Sequence, residues 1–454
     1  MAHNSLMKNT LEALAQSALA AALKAGADSA DVITLEGRSV SLDIRQGKLE
    51  QAERAEGTDL GLRVMVGQRQ AMVSSSDTRP EAIAQVAERA VAMAHEAPED
   101  PYIGLAAREE LATSWDISAF ELYDNTPEPS PETLQEDARR AEAAALANPG
   151  VSQVQSASAS YSQTTVQLAT STGFSGGYQR SSRSLSCVAI AGTGLGMERD
   201  YDGDGRIFQA DLRSADEIGA LAAARAVERL NPKKPKTGSY PILFDERISS
   251  TLVGHLLAAV NGAMVARGSS WLRDALGEEV LPKHLSIVED PHRPRTSASR
   301  PFDAEGLPTA PRHIVRNGVL EGWTLDLANA RKLGMKSTAN AARGTGSAPS
   351  PSVWNIALTQ GTQTHAELLR DMGTGFLVTS LIGSTINPNT GDYSRGASGF
   401  WVENGEITHA VNEVTIAGNL RDMLRTIVPA NDARTHLSRV VPSLLLEGLT
   451  LAGS

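Results

Sequence analysis

The sequence predicts an α+β protein with an N-terminal duplicated helix/antiparallel-sheet domain followed by a β-rich C-terminal domain with one long helix. Three observations predict this fold. The order helix, meander, helix occurs twice within residues 1–230, a segment rich in proline and lysine follows, and the second half contains two Asn-Gly turns between extended runs. Because 454 residues are too many for one ordinary hydrophobic core, two domains are expected.

The first copy of the repeated unit combines helical spacing with alternating runs. We predict helices at residues 8–25 and 79–95, and strands at residues 31–35, 40–44, 60–65 and 69–73. Alternation of apolar and polar residues around glycine turns is typical of an antiparallel meander. The second helix has five apolar residues on one face: Ile83, Val86, Ala90, Val91 and Ala94.

The second copy follows a proline-rich connector and has the same order. Its predicted helices lie at residues 132–147 and 214–230, and its strands at residues 151–159, 165–170, 178–190 and 194–201. The copies share no visible residue identity, so the duplication is predicted from the order of elements alone. We expect the helices to cover one face of the sheet.

The break between the domains is predicted from residues that end a helix. Pro232, Pro235 and the lysines beside them favour a linker at residues 231–238, which separates an N-terminal domain at 1–230 from a C-terminal domain at 239–454. The C-terminal domain is expected to contain a strand at 240–244, the long helix with Asp245 as N-cap, a hairpin at Asn317-Gly318, and a helix at 364–372.

The most informative stretch of the chain is residues 391–420, GDYSRGASGFWVENGEITHAVNEVTIAGNL. Its Asn404-Gly405 pair predicts a type I′ hairpin, because that turn requires positive φ at both central residues. We expect the Gly- and Ser-rich residues before Phe400 to form a polar loop beside the hairpin. Such a surface is suited to receiving another extended chain.

Composition excludes several classes of function. The net charge of -11 disfavours binding to nucleic-acid phosphates, so no direct nucleic-acid contact is expected. The single cysteine, Cys187, excludes an internal disulfide framework. No run approaches the ~20 apolar residues of a membrane span, and the N-terminus lacks the basic and apolar regions of a signal peptide. We therefore expect a cytoplasmic protein that does not associate with a membrane.

Neither catalytic nor metal-binding motifs are recognised from residue spacing. Residues 200–211 resemble a calcium loop, but that motif needs a helix on both sides, and the residues before Asp200 alternate as a strand does. We therefore favour a charged turn at this position. The histidines are scattered, and His255 stands alone on the helix that starts after Asp245. No metal ligand set is predicted.

Four segments of the C-terminal half resemble the TldD/PmbA (modulator of DNA gyrase) family, in its PmbA/TldE branch. They are FDAEG at 302–306, NAAR at 340–343, GDYSRGASGFWVENGEI at 391–407 and PSLLLEGLT at 442–450. The resemblance implies a cytoplasmic two-domain protein that pairs with a homologous TldD subunit as a heterodimer, or with itself in isolation. The pair would be a zinc metallopeptidase that acts on unfolded peptides.

The resemblance also implies that this chain lacks the catalytic residues. In the TldD branch one helix carries HExxxH, whose histidines bind zinc and whose glutamate is the base. The shared Gly-Ser-Ser, here Gly268 to Ser270, places Val253, Gly254 and Ala258 at those three positions. Cys187 lies in the wrong domain for the third ligand. No catalytic residue and no cofactor is therefore expected in this chain, and zinc is expected in the partner.

Six residues are our candidates for lining a peptide-binding groove: Asp303, Glu305, Tyr393, Ser394, Arg395 and Ser398. A structural role is the alternative, in which the two acids cap a turn and the two serines satisfy loop backbone groups. Two other functions also stay open. In the first, the chain is a self-sufficient metallopeptidase with an unrecognised metal site. In the second, it is a regulatory module linked to DNA gyrase.

Overall fold

The computed structural model describes the backbone of residues 2–453 and the side chains of residues 10–383 and 385–453. Its α-helices are α1 Ala2–Lys24, α2 Pro80–Glu96, α3 Pro131–Leu146, α4 Ala215–Glu228, α5 Glu246–Ala259, α6 Gly262–Ala266, α7 Leu327–Lys332, α8 His365–Met372 and α9 Leu420–Arg425. Its strands are β1 Ser29–Arg45, β2 Lys48–Val66, β3 Arg69–Ser75, β4 Val151–Thr170, β5 Ser175–Ala191, β6 Glu198–Arg206, β7 Gly238–Phe244, β8 Ile287–Glu289, β9 Arg312–Arg316, β10 Val319–Leu320, β11 Ala341–Ala342, β12 Ser350–Pro351, β13 Ile356–Leu358, β14 Gly375–Ile386, β15 Asp392–Glu403, β16 Glu406–Asn419, β17 Val428–Pro429, β18 Arg439–Val440 and β19 Leu444–Ala452. None of these described helices is long and apolar enough to cross a membrane.

The two copies of the N-terminal unit join into one antiparallel sheet with the order β3-β2-β1-β4-β5-β6. Strands β1 and β4 pair along the middle, so each copy contributes one half of the sheet. The sequence predicted two short strands where β1 lies and two where β4 lies, and the structure corrects both pairs to single long strands. Gly37, which lies between the two predicted short strands, pairs with β2 on one side and with β4 on the other, so β1 continues through it without a break.

All four N-terminal helices cover one face of this sheet, as predicted. Helices α1 and α2 pack on one half of the face, where Val32 and Leu62 lie, and helices α3 and α4 pack on the other half, where Leu42 and Ala159 lie. Side chains alternate between the faces of a strand, so Ile33 faces the other way. It packs against residues of the C-terminal half, including Phe302, Leu307 and Leu327. The sheet is therefore enclosed between its own helices and the C-terminal half.

The C-terminal half is built on strands that close into a barrel. Their order is β16-β15-β14-β7-β19-β17, and an additional pairing between β16 and β19 closes the ring. One side of the strands packs against α5 through residues such as Phe244, Leu252 and Leu256. The other side packs against α8. A five-stranded sheet with the order β10-β9-β8-β13-β18 lies beside the barrel.

Both Asn-Gly turns are confirmed, but the polar loop predicted before one of them is wrong. Asn404 and Gly405 have φ of 51° and 78°, and Asn317 and Gly318 have φ of 48° and 82°. The Gly- and Ser-rich residues from Asp392 onward form most of β15, which pairs with β14 on one side and β16 on the other. Hydrogen bonds from both neighbours hold this polar segment in extended conformation despite its low strand propensity.

The acidic run that resembled a calcium loop is also a strand rather than a turn. Asp200, Asp202 and Asp204 lie on β6, and their carboxylates form ion pairs with arginines: Arg229 and Arg247 for Asp200, Arg213 and Arg225 for Asp202, and Arg206 for Asp204. Alternation places the three carboxylates on the same side of the strand. Guanidinium groups therefore occupy the space that a cation would need.

Candidate functional site

The six candidate groove residues lie in two separate places. Asp303 and Glu305 are buried where the N-terminal sheet meets the C-terminal half, while Tyr393, Ser394, Arg395 and Ser398 lie on β15 of the barrel. The structure therefore does not bring the six residues together around one groove.

Asp303 holds a tight turn by accepting three backbone hydrogen bonds. Its Oδ1 accepts from the amides of Glu305 at 2.9 Å and Leu307 at 3.0 Å, and its Oδ2 accepts from the amide of Ala341 at 3.1 Å. Burial raises the pKa of this carboxyl, and the three backbone donors oppose that shift. The geometry matches the turn-capping role that the sequence analysis left open.

Glu305 extends the turn to the next helix. Its Oε2 accepts from the amide of Leu327, the first residue of α7, at 2.9 Å. Burial raises the pKa of Glu305 well above its ordinary value, the nearby Asp303 raises it further, and the charge of Arg63 opposes both. Glu305 therefore binds a proton more readily than an exposed glutamate.

A buried ion-pair network between the two halves of the chain lies beside this turn. Asp31 on β1 accepts from Arg63 Nε at 2.8 Å and also pairs with Arg343 of the C-terminal half. Arg343 Nη2 donates to the backbone oxygen of Gly61 at 2.9 Å. This network was not predicted from the sequence. The feature that could have indicated it is a pair of opposite charges, Asp31 and Arg63, at partner positions of two apolar strands.

Tyr393 and Arg395 lie close to His255 of α5. The rings of Tyr393 and His255 are edge to face, with centroids 5.8 Å apart. Arg395 Nε donates to the backbone oxygen of Gly383 at 2.8 Å. Burial raises the pKa of Tyr393 to about 12 and lowers that of His255, and the positive charge of Arg395 lowers both.

Two buried polar atoms in this cluster, the hydroxyl of Tyr393 and Nε2 of His255, make no geometric hydrogen bond with the residues whose side chains the structure describes. The Arg395 guanidinium lies near the hydroxyl and interacts with it electrostatically. Buried polar atoms are normally paired with protein or water, so this end of the barrel has unused hydrogen-bonding capacity.

The serines of β15 differ in their surroundings. Ser398 is buried, and its Oγ donates to Asn412 Oδ1 at 2.7 Å. Asn412 Nδ2 in turn donates to Glu198 Oε1 on β6 at 2.8 Å. Ser394 is partly exposed and pairs through its backbone with Thr385 and Ala417. Ser398 thus connects the barrel with the N-terminal sheet, and Ser394 lies nearer to solvent.

The residues of α5 do not fit a zinc site. Val253 is buried in the apolar core, Gly254 has no side chain, and Ala258 is exposed. Cys187 lies in the helix–sheet core of the N-terminal half, where burial raises its pKa to about 12. Within the part of the chain that the structure describes, no group of three His, Cys, Asp or Glu residues could hold a metal ion.

Three family models match consecutive parts of the chain. They are the PmbA/TldA metallopeptidase domain 1 at residues 30–94, the central domain at 124–230 and the C-terminal domain at 237–453. The metalloprotease PmbA of Escherichia coli O157:H7 is 39% identical over 428 residues, which cover 94% of this chain and 92% of the relative. A PmbA homologue of Haemophilus influenzae is 39% identical over 440 residues, covering 95% and 94%.

Solved structures show the same architecture. A protein of Bacteroides thetaiotaomicron, described as a candidate modulator of DNA gyrase, has a TM-score of 0.90 and 27% identity, covering 97% of this chain and 98% of its own. TldE of Thermococcus kodakarensis has a TM-score of 0.85 over 96% and 99%, and at 20% identity it shows the fold alone. From the matched domains and the relatives, the chain belongs to the PmbA/TldD metallopeptidase family, in the branch that contains PmbA.

Proposed function

We propose that this chain is the non-catalytic subunit of a zinc metallopeptidase and holds unfolded peptides while a homologous TldD-type subunit cleaves them. One observation carries the proposal. If the chain is aligned with the TldD branch on Gly268 to Ser270, as the family resemblance suggests, Val253, Gly254 and Ala258 correspond to its two histidines and its glutamate, and none of the three can bind a metal or accept a proton. The chemistry is therefore assigned to the partner.

An open strand edge supports the peptide-holding role. Strand β15 is paired on both sides, so a peptide cannot be added to it. Strand β14, however, pairs with β7 only at Phe376, Leu377 and Val378. From residue 379 to residue 386, the β14 backbone groups on the side away from β15 have no strand partner among the described residues. An extended peptide can add to such an edge through main-chain hydrogen bonds.

The side chains beside this edge suit a peptide ligand. Ile382 on β14 is 67% exposed and offers an apolar contact. Arg395 is anchored to the backbone of Gly383 on the same strand and places a positive charge there. His255 and Tyr393 lie next to Arg395 and have unpartnered polar atoms. The groove of this proposal thus consists of the β14 edge and the side chains of Ile382, Arg395, His255 and Tyr393.

The proposal is tested by producing this chain together with the TldD-type homologue from the same genome. We expect the two to co-purify, the pair to cleave an unstructured peptide, and bound zinc to be found in the partner. This chain alone, with zinc added, is expected to leave the peptide intact. Cleavage by the isolated chain, or failure of the two chains to associate, would contradict the proposal.

The groove is tested in the active pair by Arg395→Gln. Loss of a positive charge that contacts bound peptide is expected to raise KM by roughly ten- to a hundredfold with kcat preserved, because a charge-assisted hydrogen bond contributes about 1.5–3 kcal/mol. Arg89→Gln on α2 is the matched control, since it removes the same charge from an exposed position on the helix-covered face of the N-terminal sheet. Equal KM values for the two variants would rule out the groove at β14.

A further inference from the structure

A polar pocket of about 310 Å³ lies between the N-terminal sheet and two loops of the C-terminal half. The sheet contributes Thr164 of β4 and Arg180 and Ser182 of β5, and the loops contribute Arg295 and His436. Its position is separate from the β14 edge and from the turn at Asp303. No step of the proposed peptide cleavage uses it.

The positive charge of Arg180 in this pocket has no ion-pair partner among the residues whose side chains the structure describes. Its two terminal nitrogens donate to the backbone oxygens of Ser297 and Ser299, and no described carboxylate lies within ion-pair distance. Arg295, by contrast, is neutralised by Glu121 and Asp211. The guanidinium carbon of Arg180 also lies 5.0 Å from the centroid of the Tyr178 ring. A guanidinium has five N–H donors, so Arg180 has donors beyond the two used by these backbone oxygens that can reach a ligand.

Two further arginines near the pocket also lack acidic partners within the described chain. Arg293 donates to the backbone oxygen of Thr435, and Arg300 stacks on Trp354 with its guanidinium carbon 3.6 Å from the ring centroid. Burial lowers the pKa of both, that of Arg300 to about 10, while the charge of Asp290 opposes this shift on Arg293 and the charges of Asp303 and Glu289 oppose it on Arg300. Neither arginine lines the pocket, so the positive charge that faces a ligand there is that of Arg180.

A purely structural role does not explain this charge. Backbone oxygens can be bridged by neutral donors, and placing a cation in a partly buried position without an anion is unfavourable. Hydroxyl groups of Thr164 and Ser182 line the same pocket and add donors for an oxyanion. Arginine clusters with such donors are the common way in which proteins recognise carboxylate and phosphate groups.

We propose that this interdomain pocket binds a side-chain carboxylate of an acidic peptide through Arg180, Thr164 and Ser182. The choice of a peptide as the source rests on the proposed function, and the pocket is a second contact for a chain held at the β14 edge. Acidic unfolded peptides are therefore the preferred ligands of this subunit.

The test is equilibrium binding to the isolated, full-length chain, measured by fluorescence anisotropy. A labelled, glutamate-rich unstructured peptide is compared with the same peptide carrying glutamine at those positions. We expect the acidic peptide to bind at least roughly tenfold more tightly, as one charge-assisted contact implies, and the difference to shrink as salt is added. Equal affinity of the two peptides would overturn the proposal.

Two variants assign the binding to this pocket. Ser182→Asp adds a carboxylate to the lining while leaving the Arg180 contacts in place, and we expect it to remove the preference for the acidic peptide. Ser182→Asn is its neutral control and is expected to keep the preference. Unchanged affinity in Ser182→Asp would place the binding elsewhere and refute the assignment.

Two arms separate the remaining explanations. Inorganic phosphate is added as a competitor of the labelled acidic peptide. If phosphate displaces the peptide at a concentration similar to that of the peptide's carboxylates, the ligand is a free oxyanion and the assignment to a peptide is overturned. We expect weak competition only. This assay needs neither the partner subunit nor cleavage. Failure of the two subunits to associate would therefore count against the proposed function alone, because the affinity of the pocket for peptides is measured separately.

Discussion

Replacing Asp31 by asparagine is expected to lower the free energy of unfolding by about 3–5 kcal/mol. The substitution keeps the size of the side chain, removes its charge and replaces one of its two acceptor oxygens by an NH2 donor. Asp31 is the shared anion of Arg63 and Arg343, and the side chains of the three residues are exposed by 1%, 4% and 0% respectively. Two buried guanidinium groups would then lose the carboxylate that they share, and Arg63 would retain only the longer-range charges of Glu305 and Asp326.

Burial decides this magnitude. An exposed ion pair contributes about 0–1 kcal/mol, because water and salt screen it. Burial acts to raise the pKa of Asp31, but the charges of Arg343 and Arg63 outweigh it and hold the pKa below its ordinary value. A lowered folded-state pKa stabilises the fold above the unfolded pKa of about 4, and this contribution is lost as pH falls through the folded value. The effect of Asp31→Asn should therefore be fully expressed at neutral pH.

The measurement is urea unfolding at pH 7, followed by both far-UV circular dichroism and tryptophan fluorescence, because a protein of this size need not unfold in one step. A second variant, Arg343→Met, removes one of the two cations. The double variant Asp31→Asn/Arg343→Met is expected to be less destabilised than the sum of the single variants, since fewer unpaired charges are left in the interface.

The control is Asp43→Asn, on the same strand, where the carboxylate makes no ion pair among the described residues. It is expected to change the free energy of unfolding by no more than about 0.5 kcal/mol. The reasoning would be refuted if Asp31→Asn cost less than about 1 kcal/mol, or if the double variant were strictly additive.

Two further predictions concern the same interface. Glu305→Gln is expected to stabilise the protein relative to the parent at pH 8. A carboxyl whose pKa is raised in the folded state binds more protons when folded, so the parent loses stability as pH rises. The stability gained by the variant should therefore shrink as pH falls to the ordinary glutamate pKa of about 4. Thermal unfolding at a series of pH values measures this, and a pH-independent difference would contradict it. Gly61→Ala should destabilise by about 1–3 kcal/mol, because its Cβ would lie 2.3 Å from the backbone oxygen of Thr345, whereas Gly57→Ala, with nothing within 4 Å, is the control. Equal unfolding midpoints in urea for the two variants would count against a close approach at Gly61.

Local rules were sufficient for many elements of the fold. The Asn-Gly turns were predictable because positive φ at two successive residues strongly favours this pair. The apolar face of α2 was predictable from spacing, since Ile83, Val86 and Ala90 recur at helical intervals and are buried. The N-cap of α5 followed likewise from Asp245, whose side chain accepts from the amide of Arg247.

Features that depend on pairing between distant strands were not predictable in the same way. The segment after Asp392 was expected to be a loop because of its glycines and serines, and it is a strand because β14 and β16 lie on either side of it. The acidic run of β6 was likewise expected to be a turn, and contacts with arginines from distant segments hold its carboxylates in place.

The sequence alone determined the α+β class and the duplicated order of the N-terminal half, because both follow from residue types and local spacing. Only the tertiary structure decided where the candidate residues act. It separated Asp303 and Glu305, buried between the two halves, from Tyr393 and Arg395 at the barrel, and it left Arg180 without an acidic partner among the described residues. The physical reason is that burial and charge pairing depend on segments distant in sequence.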